Sequence, residues 1–221
     1  MLTLYGHNLW ISPYVLSVFV TLREKDLPFD VKEVALDTGD HFAPDFAKLS
    51  LTSRVPALVD GAFALSESSA IVEYLEDRYV TPQHKPVLPV DVKDRARARQ
   101  VMAWIRSDLM PIREERSAEN VFYPKNELPP LAPLSQEARF AEDKLFRVAE
   151  QLVPKAGGPL FGAWCVADTD LAMMLQRLIK TGADVPSRLK AYADAEWERP
   201  FVREFRHHAR PPFRPARMGH P

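Results

Sequence analysis

Apolar and polar residues alternate over Leu2-Thr3-Leu4-Tyr5, which predicts a short strand, and Gly6-His7-Asn8 breaks it before Trp10 and Ile11. The period then lengthens. Val15, Val18, Phe19 and Leu22 recur at helical spacing behind Ser12-Pro13, a preferred N-cap followed by a preferred first helical residue, so a helix should run to near Lys25. Pro28 opens a second strand through Val34, and a loop with Pro44 follows. Two short apolar runs, Ala57 to Val59 and Ala62 to Leu65, flank Asp60-Gly61, a dipeptide suited to a tight hairpin turn. Ser66-Glu67-Ser68-Ser69 then opens a helix through Ile71, Tyr74, Leu75 and Tyr79, with the small hydroxyls expected to supply its N-cap.

After Tyr79 the pattern changes. Thr81 to Pro89 holds three prolines in nine residues and reads as a linker, and no strand signal of comparable clarity follows it. Asp91 or Asp94 can cap a long helix carrying Arg95, Arg97, Arg99, Met102, Trp104, Ile105 and Leu109, which Pro111 punctuates. Asn120 to Pro133 reads as a Pro-rich loop, and Ser135 to Leu152 as an amphipathic helix through Phe140, Leu145, Phe146, Ala149 and Leu152. Val166 to Ile179 is nearly apolar, a helix buried on most sides. Arg188 to Trp197 and Phe201 to His208 complete the helices. The tail after Ala209, with four prolines plus Arg210, Arg214 and Arg217, should be mobile. The expected divisions are 1–80, a linker over 81–91, an all-helical unit over 92–209 and a basic Pro-rich tail over 210–221.

Composition narrows the functional classes. In 221 residues, 29 basic and 30 acidic side chains leave a net charge of −1, so no overall field gathers nucleic acid or an anionic membrane. The single cysteine, Cys165, allows neither an intrachain disulfide nor a Cys-x-x-Cys redox pair nor a cysteine-rich zinc site, which fits a reducing cytoplasm. No apolar run reaches the roughly 18 residues of a membrane span. The six histidines are scattered except for His207-His208, a pair that should face solvent and not a metal. No metal is expected.

The run from Arg54-Val55-Pro56 through Leu65-Ser66-Glu67-Ser68-Ser69-Ala70-Ile71 with Tyr74-Leu75 resembles the glutathione-binding signature of the cytosolic glutathione transferases. Ser12-Pro13-Tyr14, Gly39-Asp40-His41 and Val166-Ala167-Asp168-Thr169-Asp170-Leu171-Ala172 fall in that family's order and spacing. The similarity is greatest to a bacterial, theta-like branch with a serine at the active site, and it spans nearly all the chain except the last dozen or so residues. It implies an α/β thioredoxin-like N-terminal domain of order βαβαββα, followed by an all-α C-terminal domain. It also implies a homodimer that uses glutathione as co-substrate, no metal, and a small hydrophobic electrophile or peroxide as second substrate, in detoxification or oxidative-stress defence.

Carried onto matching positions, the resemblance makes Ser12 the catalytic residue. Val55 would pair by backbone with glutathione's cysteinyl segment, Glu67 and Ser68 would hold the γ-glutamyl end, and His41 and Arg54 would contact the glycine end. Pro56 and Asp168 are structural: a cis Val55-Pro56 bond would turn Val55 outward, and Asp168 would complete a capping box in which Cys165 replaces the family's usual serine or threonine. Trp104, Ser107, Asp108, Pro111 and Arg113 are candidates for the electrophile site.

Elementary chemistry supports such a role for Ser12. A hydroxyl at a helix N-terminus can donate to an anion that the helix dipole already favours. Moving a thiol from a pKa near ~8.5 to about 6.5 requires roughly 2.7 kcal/mol of preference for the thiolate. One charge-assisted hydrogen bond plus a helix terminus is of that order. Ser12 would thus stabilise a thiolate and not act as a nucleophile. By itself it reads as a plain helix cap. A glutathione-transferase-fold interaction or regulatory protein without catalysis is the alternative reading; a thioredoxin-type disulfide oxidoreductase lacks the cysteine it would need near Ser12.

Overall fold

The computed structural model describes residues 1–214. Its first half is a four-stranded sheet in the order β2-β1-β3-β4, with β1 (Leu2–His7) parallel to β2 (Phe29–Val34) and antiparallel to β3 (Ala57–Asp60), which pairs in turn with β4 (Phe63–Ser66). A parallel pair needs a crossover. Here α1 (Pro13–Glu24) supplies it, and α2 (Pro44–Ala47) and α3 (Ser68–Arg78) complete the predicted βαβαββα order. Leu16, Val18, Val20 and Leu22 of α1 are all fully buried, because this helix is covered by the sheet and α3 and by helices of the second half.

The second half is helical: α4 (Val92–Asp108), α5 (Met110–Glu115), α6 (Glu119–Phe122), α7 (Gln136–Leu152), α8 (Val166–Thr181), α9 (Ser187–Trp197) and α10 (Pro200–Arg206). Asp91 caps α4 by accepting from the Lys93 and Asp94 amides, and Ser135 caps α7 by accepting from Ala138. The central element is α8. From Val166 to Leu178 every residue is buried, with α4, α6 and α9 packed around it and α1 of the first half on a further side.

Some predicted details shift. The hairpin turn is Gly61-Ala62, one residue later than expected, with Asp60 still paired in β3 and Gly61 taking the positive φ of +60°. The cap of α3 is Glu67, at φ +72°, and no hydroxyl bonds it. Phe140 is 71% exposed: Ala138, Ala141, Leu145 and Ala149 form the buried stripe of α7, and residue 140 falls on the opposite face. The segment read as a Pro-rich loop begins with α6, whose Val121 is buried. His208 is exposed on one face and stacks with the other on Trp10, the ring centroids 3.6 Å apart. Of the tail expected to be mobile, Arg210 is tied down: its guanidinium donates to the carbonyls of Trp10 at 2.9 Å and Phe205 at 3.0 Å and lies over the Phe122 ring. Residues 215–221 of that tail lie outside the described residues.

A buried ion pair ties the linker to the first half. Lys25, 1% exposed, meets Glu76 at 2.7 Å and donates to the carbonyls of Tyr79 at 2.8 Å and Lys85 at 3.1 Å. Glu76 in turn accepts from the amides of Val87 at 3.1 Å and Leu88 at 3.4 Å. Each charge thereby gains the hydrogen bonds that offset its loss of water.

Candidate active site

Two helix N-termini frame the site. Ser12 precedes α1 with extended backbone (φ −73°, ψ 119°), and its Oγ accepts from the Val15 amide at 3.3 Å. Pro13 has no N–H, and the Val15 and Leu16 amides donate to the Ser12 hydroxyl and carbonyl, so the Tyr14 amide is the one left in the first turn of α1 for an anion. The second terminus is that of α3. Glu67 is exposed at its cap, and Ser68, 4% exposed, is its first residue.

Between them in sequence lies the loop before β3. The Val55–Pro56 peptide is cis, and both residues stand outside the sheet ladder, whose register begins at Ala57. Arg54 is exposed, its backbone held by a reciprocal pair of bonds with the Ser50 hydroxyl. His41 lies in a short 3-10 turn against Phe42, half-buried, with Nδ1 lacking a partner among the described residues. Asp168, wholly buried, accepts from the amides of Leu160 at 2.8 Å and Cys165 at 2.9 Å and from the Tyr192 hydroxyl at 2.9 Å. It closes the start of α8 and the adjoining turn. Burial pushes the Cys165 thiol far up, the neighbouring Asp168 adding to it, so this sulfur stays protonated.

The residues proposed for an electrophile site divide. Trp104 and Asp108 share one face of α4, bonded to each other at 2.8 Å, and Asp108 meets Lys144 of α7 at 2.5 Å. Ser107 is exposed and donates back to the Ala103 carbonyl, while Pro111 occupies the first turn of α5. Arg113 alone of the five lines a recess against the start of α1, where Pro13 and Tyr14 meet Arg106 of α4 and Asp170 and Arg177 of α8. Trp104 and Asp108 are therefore placed on the α7 side and not in this recess. Their helical phase is the reason, since Arg106 lies roughly 160° to 200° around α4 from them.

Tyr14, Arg106, Asp170 and Arg177 escaped the sequence reading as site residues. A signal existed: Asp168, Asp170 and Arg177 are the only charged residues from Val166 to Leu178 in an otherwise apolar stretch, and buried charges need partners. Arg106 is one such partner. It meets Asp170 at 2.8 Å, and Asp170 also accepts from Ser17 of α1.

A mixed β2-β1-β3-β4 sheet with its helices, followed by an all-helical unit, is the thioredoxin-like plus all-α architecture, with a site at the junction. Residues 11–78 match the family description "Glutathione S-transferase, N-terminal domain" and residues 91–209 match "Glutathione S-transferase, C-terminal domain". The chain belongs to the glutathione S-transferase family.

A glutathione S-transferase of Triticum aestivum is 33% identical over 165 residues, 75% of this chain and 70% of that one. Glutathione S-transferase theta-1 of Mus musculus is 31% identical over 146 residues, 62% of this chain and 60% of its own length. The match spans less of the human and rat theta-1 proteins, 52% and 38% of their lengths. Among solved structures, a glutathione transferase homologue from Burkholderia with bound glutathione superposes with a TM-score of 0.74 at 38% identity, over 92% of this chain and 95% of that one. No helix of the described residues is long and apolar enough to cross a membrane.

Proposed function

We propose that this protein is a serine-type glutathione transferase, in which Ser12 donates to the glutathione sulfur and holds it as a thiolate for attack on a small electrophile. The observation that carries this reading is the position of Ser12: a half-buried hydroxyl at the N-terminus of a long buried helix, where donor and helix dipole both favour an anion. Glu67 would accept from the γ-glutamyl ammonium and Ser68 would donate to its carboxylate, while Val55 would pair with the cysteinyl backbone in the manner of an added strand. His41 and Arg54 would reach the glycine end. The units over 1–80 and 92–209 would act as glutathione-binding and electrophile-binding domains. The same thiolate would reduce peroxides, and a homodimer working in the cytoplasm in detoxification is the setting this reading implies.

The test is the thiolate absorbance of bound glutathione against pH in the native protein and in Ser12→Ala. Loss of the hydroxyl should raise the titration midpoint by about 1 to 2 pH units, since charge-assisted hydrogen bonds are worth about 1.5–3 kcal/mol, while affinity changes less. An unchanged midpoint removes Ser12 from the mechanism.

A further inference from the structure

Three guanidinium groups converge on the recess at the start of α1. Arg106 and Arg113 flank the Tyr14 ring, each with its guanidinium carbon 5.6 Å from the ring centroid, and Arg177 lines the same wall from α8. Asp170 is the single carboxylate among the lining residues, and it already takes Arg106 at 2.8 Å and the Ser17 hydroxyl. Among the lining residues three positive charges face one negative, and Glu119 outside the recess offsets part of that excess at Arg177.

The arginines are only partly used by the protein. Arg177 is 5% exposed; its Nη1 donates to the Arg116 carbonyl at 2.6 Å, but its Nε has no partner among the described residues. Arg106 likewise leaves Nε unpaired. Arg113 donates to the Arg106 carbonyl at 2.5 Å. Burial, reinforced by the charge of Arg113, pulls the Arg177 guanidinium down to about 10, so it remains charged at neutral pH. A buried guanidinium with an unsatisfied N–H is costly unless a ligand completes it.

We propose that this recess is an anion subsite that takes a carboxylate of the second substrate, so that the preferred electrophile is an organic acid with an apolar body. The proposal rests on the transferase reading above. Size fits the chemistry: the cavity is about 20 Å³, room for one water-sized group and not for a ring or chain. Planar guanidinium forks suit a carboxylate, and Pro13, which directly follows Ser12, is part of the lining, so an acid seated here would lie beside the start of α1.

The test pairs 4-chloro-3-nitrobenzoate with its neutral isostere 4-chloro-3-nitrobenzamide, each rate corrected for the uncatalysed reaction. In both, the glutathione sulfur bonds to the ring carbon and chloride leaves with the bonding pair. The native protein should favour the acid in kcat/KM by about tenfold or more, Arg113→Gln should bring that ratio toward one, and Arg113→Lys should restore part of it. A native ratio near one, or a ratio unmoved in Arg113→Gln, overturns the subsite.

A second measurement is independent of turnover: the carbon-13 line width of labelled formate with protein saturated by S-methylglutathione. Broadening that persists with the thioether bound and disappears in Arg113→Gln supports the subsite. No broadening, or broadening abolished by S-methylglutathione, overturns it, the latter by assigning the arginines to the peptide site. Absence of any glutathione binding in calorimetry would defeat the transferase reading alone, because formate is then read on the free protein with the same two outcomes for Arg113→Gln.

Discussion

Arg106 of α4 donates Nη2 to the Ser68 hydroxyl of α3 at 3.3 Å. The proposed γ-glutamyl pocket is thus completed from the helical half of the chain, and a residue assigned to peptide binding is oriented by one that also lines the recess beside Tyr14. A change on α4 can reach glutathione affinity without touching the sheet.

Ser68→Ala and Glu67→Ala should each weaken glutathione binding by about 1.5–3 kcal/mol, since each is proposed to make a charge-assisted contact with a ligand end remote from the sulfur. The thiolate midpoint should move little. Calorimetry on both variants decides this; affinities equal to the native protein would remove the two assignments.

Asp168→Ala should destabilise the fold by roughly 3 kcal/mol or more, because it strands the buried amides of Leu160 and Cys165 and the Tyr192 hydroxyl together. Asp168→Asn keeps one acceptor and should lose less. Urea unfolding of the pair measures both, and a loss below about 1 kcal/mol for the alanine variant contradicts a structural role.

Glu196 gives a pH dependence. Burial first, then the nearby Asp168, raise its carboxyl from 4.5 to about 7, against the pull of Arg199. A raised carboxyl means that the native state keeps its proton where the unfolded chain has lost it, so stability falls as pH climbs through the interval from 4.5 to about 7 and levels off above it. At 7% exposure little solvent screening applies, and the loss is of order 3 kcal/mol. Glu196→Gln should match the native melting temperature near pH 4 and exceed it at pH 8. Parallel curves across that range would contradict the shift.

What the chain disclosed in advance was local. Strands, the hairpin, the cap at Ser12, a cap at Asp91 or Asp94, and the two-part architecture follow from periodicity and short-range hydrogen bonding, or from the family resemblance. What stayed hidden was set by phase and by distant partners. Trp104 and Arg106 are two residues apart on α4 yet face nearly opposite ways, and only the packing of α8 and α7 decides which one meets Tyr14. Glu67 takes its positive φ where the strand must turn abruptly into α3, a demand that local cap preferences for Ser66 or Ser68 do not express. Arg210 lies in a composition typical of a loose tail, and its anchor, the Trp10 carbonyl, is 200 residues away.

The Lys25–Glu76 pair fixes more than the linker's path. Its hydrogen bonds reach Tyr79, Lys85, Val87 and Leu88, so the connection between the halves is tied at four points to α1 and α3. In the proposed transferase, substrates would then pass through a cleft whose width the linker does not vary, and selectivity would fall to charge and shape at the junction.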